Sequence, residues 1–135
     1  MPGLTFKNPR IGAVYSTPLL KEDIMHSVTV TIGRNFTSRL HPERTQELSA
    51  EAWKEFIEDV KDALSYHMIE DEDTLEVHLG SGSWQGIEEE SAKVTLLSSD
   101  PIFPAKLIKR LKTLAAIYAQ DAIALTIGES ELIEP

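Results

Sequence analysis

The segment His26 to Phe36, HSVTVTIGRNF, decides the fold, because Val28, Val30 and Ile32 alternate with Thr29 and Thr31. Side chains of an extended chain point to opposite faces in turn, so this alternation predicts a strand with one buried face. The following stretch, Thr37 to Glu47, is polar and carries Pro42, which predicts a loop leading to a helix. Ser49 fits an N-cap, Glu51 suits the positive end of a helix, and Leu48 with Trp53 has the spacing of a hydrophobic staple. Trp53, Phe56, Ile57, Val60, Ala63 and Leu64 then recur at intervals of three and four, the apolar stripe of a helix lying on a sheet.

Past the acidic run Glu70 to Asp73, Leu75, Val77 and Leu79 alternate with Glu76 and His78. This predicts a second strand that ends in the glycines of GSGSWQG, Gly80 to Gly86. After Glu88, Glu89 and Glu90, the stretch Ala92 to Ser98 places Val94 and Leu96 on one side, so the pair forms a long hairpin or a bulged antiparallel connection. Asp100-Pro101, or Phe103-Pro104 a turn later, starts a second helix, since proline is tolerated in the first turn. Its stripe is Leu107, Ile108, Leu111, Leu114, Ala115 and Tyr118, opposite Lys106, Lys109, Arg110 and Thr113. A last strand runs from Ala122 to about Ile127, and a short final strand fits Leu132 and Ile133. The order is βαββαβ. Right-handed crossovers then place both helices on one face of a four-stranded antiparallel sheet, a ferredoxin-like α+β sandwich.

Upstream, Pro2, Pro9 and Pro18 with two glycines leave no sustained periodicity. Residues 1–25 are expected to form an extended arm and residues 26–135 the domain, with Ile11 to Tyr15 a short edge strand and Leu19 and Leu20 an apolar anchor. The sheet face without helices is expected to need a cover. The arm, or a neighbouring subunit reached by it, would supply one, so a homo-oligomer is the structural expectation.

A chain of 135 residues with 41% hydrophobic and 26% charged residues matches one globular domain with one core. It has no cysteine, which excludes disulfides, thiolate catalysis and cysteine-ligated metal, and fits a reducing compartment. No apolar stretch approaches a membrane span and no basic-then-apolar leader opens the chain, so a cytoplasmic protein without membrane contact is expected. The net charge of −9 argues against direct nucleic-acid binding. Acids crowd at Glu70 to Asp73 and Glu88 to Glu90, while Lys106, Lys109, Arg110 and Lys112 share one segment. Such patches either steer a partner or are simply solvated.

Several residues together resemble a family of small uncharacterised bacterial domains with this layout. The first strand ends in an aromatic, Phe36, and a helix opens with Ser49, Trp53 and Phe56. A Gly-x-Trp turn follows at Gly82 and Trp84, then Glu89, Glu90, Ser91 and Lys93 enter the next strand, and Tyr118 and Gln120 close the second helix. The resemblance runs from about Val28 to Ile127. It implies the βαββαβ fold, marks these residues for testing and brings no activity with it.

No catalytic, metal or nucleotide motif is present, and no cofactor is expected. The Gly-x-Gly lacks the third glycine and following helix of a dinucleotide fingerprint, no Gly-Lys-Ser/Thr occurs, and no serine sits in a Gly-x-Ser-x-Gly elbow. His26, His41, His67 and His78 are scattered, and only His78 could approach Glu89 or Glu90 across the hairpin. The candidate ligand-binding residues are Arg34, Trp84, Glu89, Glu90 and Gln120. Trp84 offers a stacking surface among glycines, the glutamates offer charge, and Arg34 could clamp an anion with its planar fork. Each also has a structural role open to it: a tryptophan covering the sheet edge, solvated glutamates, an arginine paired with surface acids, and a buried amide at the helix exit.

The leading reading is a non-catalytic oligomeric module that binds a small anionic ligand or a protein partner, in a regulatory or sequestering role. A second is a small enzyme using Glu89 or Glu90 with His78 or Arg34 beside Trp84. A third is an acidic inhibitor that mimics nucleic acid, against which the basic helix argues.

Overall fold

The structure is a computed structural model that describes residues 24–38, 40, 42–68 and 73–131. In chain order the elements are β1 (Ile24–Gly33), β2 (Asn35–Thr37), β3 (Thr45–Glu47), α1 (Ala50–Ser65), β4 (Thr74–Trp84), β5 (Ile87–Ser98), α2 (Ala105–Ile117) and β6 (Ala124–Glu131). The architecture is α+β. An antiparallel four-stranded sheet runs in the order β4-β5-β1-β6, and β2 pairs with β3 in a separate two-stranded sheet.

Eight elements replace the six expected, because residues 37–47 are not all loop. Thr37 pairs with Thr45 and Asn35 with Glu47, folding that stretch back on itself. The opening strand stops at Gly33 rather than Phe36. It begins at Ile24, and Ile24 and Met25, expected to close the arm, pair with Glu131 and Ser130 of β6. The remainder of the arm, the acidic residues 70–72, and the strand expected at Leu132 and Ile133 lie outside the described residues.

The alternation read in β1 sets the core. Val28, Val30 and Ile32 face Leu96, Val94 and Ala92 across β5, and all six are buried. Trp53, Phe56, Val60 and Leu64 of α1 and Leu107, Leu111 and Leu114 of α2 complete one cluster on that face. The Ser49 hydroxyl accepts the Ala52 N–H at 3.1 Å as the N-cap of α1, and Leu48 and Trp53 are both buried beside it. Helix α2 begins after Pro104, a turn later than Asp100-Pro101 would allow.

The opposite face carries Ser27, Thr29 and Thr31 of β1, with Thr95 of β5 and Thr126 of β6 in register beside Thr29. The Thr29 and Thr95 hydroxyls are 2.9 Å apart. A face of hydroxyls is compatible with water, so it does not demand the cover expected for it. Its exposed large apolar side chains are Trp84 and Ile87, at the hairpin end beyond β1. Val77 and Leu79 of β4 share the core's face by register, but stand at the sheet edge, 36% and 70% exposed.

The helices are joined by Tyr118, whose ring stacks on Phe56 with centroids 4.4 Å apart. Its hydroxyl donates to Asp59 Oδ2 at 2.6 Å and lies 3.3 Å from Glu55 Oε1. Burial first, and then the bond to Asp59, raise the phenol's pKa above its ordinary value. Below pH ~10 both folded and unfolded chains keep this proton. Above it only the folded chain does, so stability falls as pH rises, by up to about 1.4 kcal/mol per pH unit. Tyr118→Phe is expected to cost about 1–2 kcal/mol at pH 7 and to remove that component of the alkaline decline. Urea unfolding of both proteins from pH 7 to 11 measures it; parallel declines would refute the assignment.

Candidate functional site

β1 leaves β5 at the Gly33–Ser91 pair, while β4 and β5 continue as a hairpin to Trp84 and Ile87. Gly80 and Gly82, expected to end the second strand, therefore lie inside it. The turn is Gln85-Gly86, with φ of 53° and 83°, the two positive values that a type I′ turn requires.

Alternation divides the acidic run. Glu89 sits in register with Gly82 and, two residues from Ser91, shares the hydroxyl-rich face, whereas Glu88 and Glu90 point to the other side. Glu90 accepts Arg34 Nη1 at 2.5 Å. The same guanidinium donates from Nε to the Leu48 carbonyl at 2.7 Å and lies 3.8 Å from Glu47. Arg34 is thus committed to holding the chain ahead of α1, not held open as an anion clamp.

Glu89 is placed by an absent side chain. Its carboxylate lies over Gly33, where an added Cβ would overlap it, and Oε2 accepts the Asn35 N–H at 2.8 Å. Gln120 reaches the same region from α2. That helix ends with the Gln120 N–H on the Ala115 carbonyl at 2.8 Å and the Ala119 N–H on the Ala116 carbonyl at 3.4 Å, with Ala119 at φ 52°, a Schellman ending. The Gln120 amide then donates to the Asn35 carbonyl at 3.0 Å and the Tyr118 carbonyl at 3.3 Å.

Between the hairpin and these loops lies a cleft of about 830 Å³. Gly33, Gly82 and Ser91 line it beneath Trp84, and Thr31 and Lys93, cross-strand neighbours, line its far side. Of the sequence candidates the structure brings Trp84, Glu89 and Gln120 together here, and leaves Arg34 and Glu90 outside. Trp84 is 48% exposed, in contrast to Trp53 at 7%. Lys93 and Asn35 were not among the candidates. Lys93 sits between buried Ala92 and Val94, so its placement on the opposite face was readable; that the cleft opens on that face was not.

His78 stands opposite Lys93, four residues before Gly82, which is about 13 Å along the strand from the row that holds Glu89. Its ion-pair neighbour is Glu76 at 3.9 Å. The acid–base pair expected across the hairpin is therefore not assembled. Among the described residues no three His, Asp or Glu side chains gather as metal ligands would, and no helix is long and apolar enough to cross a membrane.

No protein-family model matches the chain, and no curated protein matches its sequence. Some solved structures align with most of the chain. A phage SAM lyase in its apo state covers 82% of this chain and 84% of its own at 12% identity, with a TM-score of 0.46. The phage SAM lyase in complex with S-methyl-5'-thioadenosine gives 0.44 at 12% identity over 82% and 85%. The de novo designed protein Foldit4 gives 0.35 at 9% identity over 82% and 98%. None of these assigns a role to a residue of this chain.

Gly33→Ala is expected to push the Glu89 carboxylate off the Asn35 amide. The clash is with the far end of a flexible side chain, so the fold survives. Loss of one charge-assisted bond costs about 1–3 kcal/mol, and Asn35 amide exchange accelerates. Glu89→Ala should reproduce both effects, and the double variant should add little to either single one. Additive losses in denaturant unfolding would show that the two positions act separately.

Proposed function

We propose that this chain is a non-catalytic, oligomeric ligand-binding module on a ferredoxin-like frame, whose cleft takes a small molecule with a planar ring and an anionic group. The frame is read from β1, α1, β4, β5, α2 and β6, with β2 and β3 as an insertion between β1 and α1. The observation that carries the ligand reading is Trp84: a half-exposed indole held beside a cleft lined by glycines. A ring stacked on it would be desolvated on one face without displacing a side chain from the space at Gly82. The cleft's volume lies within the range of small-molecule sites, roughly 300–1,000 Å³. Among the described residues lining the cleft Lys93 is the cation available to an anionic group, and Glu89, already oriented by Asn35, accepts a donor from the ring's edge. Arg34 takes no part.

Trp84 and Trp53 are the chain's two tryptophans, so Trp53→Phe leaves Trp84 as sole reporter. Titration of that variant with AMP and adenosine should quench its fluorescence saturably, with AMP the tighter binder. Lys93→Ala should erase the difference. In the wild-type background Trp84→Ala should abolish the ligand-induced rise in Tm while costing under about 1.5 kcal/mol, since the side chain is not core. Absence of saturable quenching by either nucleoside, or a Trp84→Ala protein that responds like the wild type, would overturn the reading.

A further inference from the structure

We infer that the outer edge of β4 is the self-association surface, pairing antiparallel with the same strand of a second copy about a two-fold axis at His78. This names the surface for the oligomeric part of the reading above and is independent of the ligand.

Among the described residues β4 is an edge strand of eleven residues, Thr74–Trp84. Unpaired edges are templates for another strand, and proteins usually blunt them with proline, lysine or a bulge. β4 contains neither proline nor lysine and pairs with β5 without interruption. Of its exposed apolar residues, Val77 and Leu79 stand two apart on the core's face, and Trp84 lies on the other. Burying them in the monomer would need a helix beyond α1, and the described chain has none there.

The strand is complementary to itself in one register. With His78 opposite its own copy, Val77 meets Leu79 of the partner subunit, and Leu79 meets the partner's Val77. Two apolar pairs then form on one face, the arrangement that stabilises adjacent strands. Glu76 falls opposite the partner's Gly80, and Thr74 opposite the partner's Gly82, so no carboxylate faces another. The two Glu76 residues are then about 13 Å apart along the strands, beyond a Debye length of roughly 8–10 Å at ordinary salt. A strand from an unrelated protein would have no reason to match this spacing, whereas a second copy matches it by symmetry. The β6 edge offers less, with Ile127 as its exposed large apolar residue and Glu129 beside it.

The chain has no cysteine, which permits a clean test. In sedimentation or light scattering the intact protein at ~100 μM should show twice the chain mass. His78→Cys should give a disulfide-linked dimer on mild oxidation, while Thr126→Cys on β6 should not. Leu79→Lys should halve the mass and retain the circular dichroism of the wild type, because Leu79 is mostly exposed. Its ligand response reports on the cleft separately, so failure of one reading leaves the other standing. A monomeric wild type overturns the inference. So does an oligomer that survives Leu79→Lys, or one that Thr126→Cys traps and His78→Cys does not.

Discussion

The position on which the rest depends is Arg34, where β1 stops. Its N–H donates to the Glu90 carbonyl at 2.9 Å, one step past the last β1–β5 pair, and its carbonyl accepts the Leu48 N–H at 2.9 Å. The guanidinium repeats both links with side chain and backbone, to Glu90 and to the Leu48 carbonyl. One residue thereby ties the β5 strand to the residue before the N-cap of α1. A guanidinium with three hydrogen-bonding directions fixes angle as well as distance, which a lysine ammonium would not. Because the chain turns away here, β4 and β5 project beyond the sheet and the cleft has a second wall.

Much of this frame was legible for physical reasons that particular residues make plain. Val28, Val30 and Ile32 alternate because one face is dry, and the staple of Leu48 and Trp53 with Ser49 between them fixes where α1 starts. The extent of β4 was not legible. Gly80, Ser81, Gly82 and Ser83 have turn-forming composition, yet they extend the strand, because β5 supplies a partner for each and the true turn needs positive φ at Gln85 and Gly86. The hairpin of β2 and β3 was hidden for a related reason: three pairs in a polar stretch carry no apolar alternation to read.

The site was legible in composition and not in assignment. Trp84, Glu89 and Gln120 meet, while Arg34 and Glu90 engage one another elsewhere. The difference is one of parity. In a strand, neighbours in sequence are on opposite faces, so a run of three glutamates cannot form one acidic patch, and the charge counted at Glu88 to Glu90 is dispersed between two surfaces.

That parity also explains why the two faces of one sheet present different surfaces. On the helix side the apolar residues outrun the helices, leaving Val77 and Leu79 bare at the edge. On the other side hydroxyls line the strands, and Gly33 and Gly82, which lack side chains, line the cleft. Glycine inside a strand weakens it and contributes nothing to packing, so its presence within well-paired strands marks close approach of something to the backbone. At Gly33 that something is the Glu89 carboxylate, held by the Asn35 amide. At Gly82, across from Glu89, no side chain of the sheet occupies the place: an added Cβ would meet only Ser91, at 3.6 Å from its hydroxyl oxygen. The space above Gly82, bounded by Trp84 and Glu89, is a part of the cleft that none of the described residues fills.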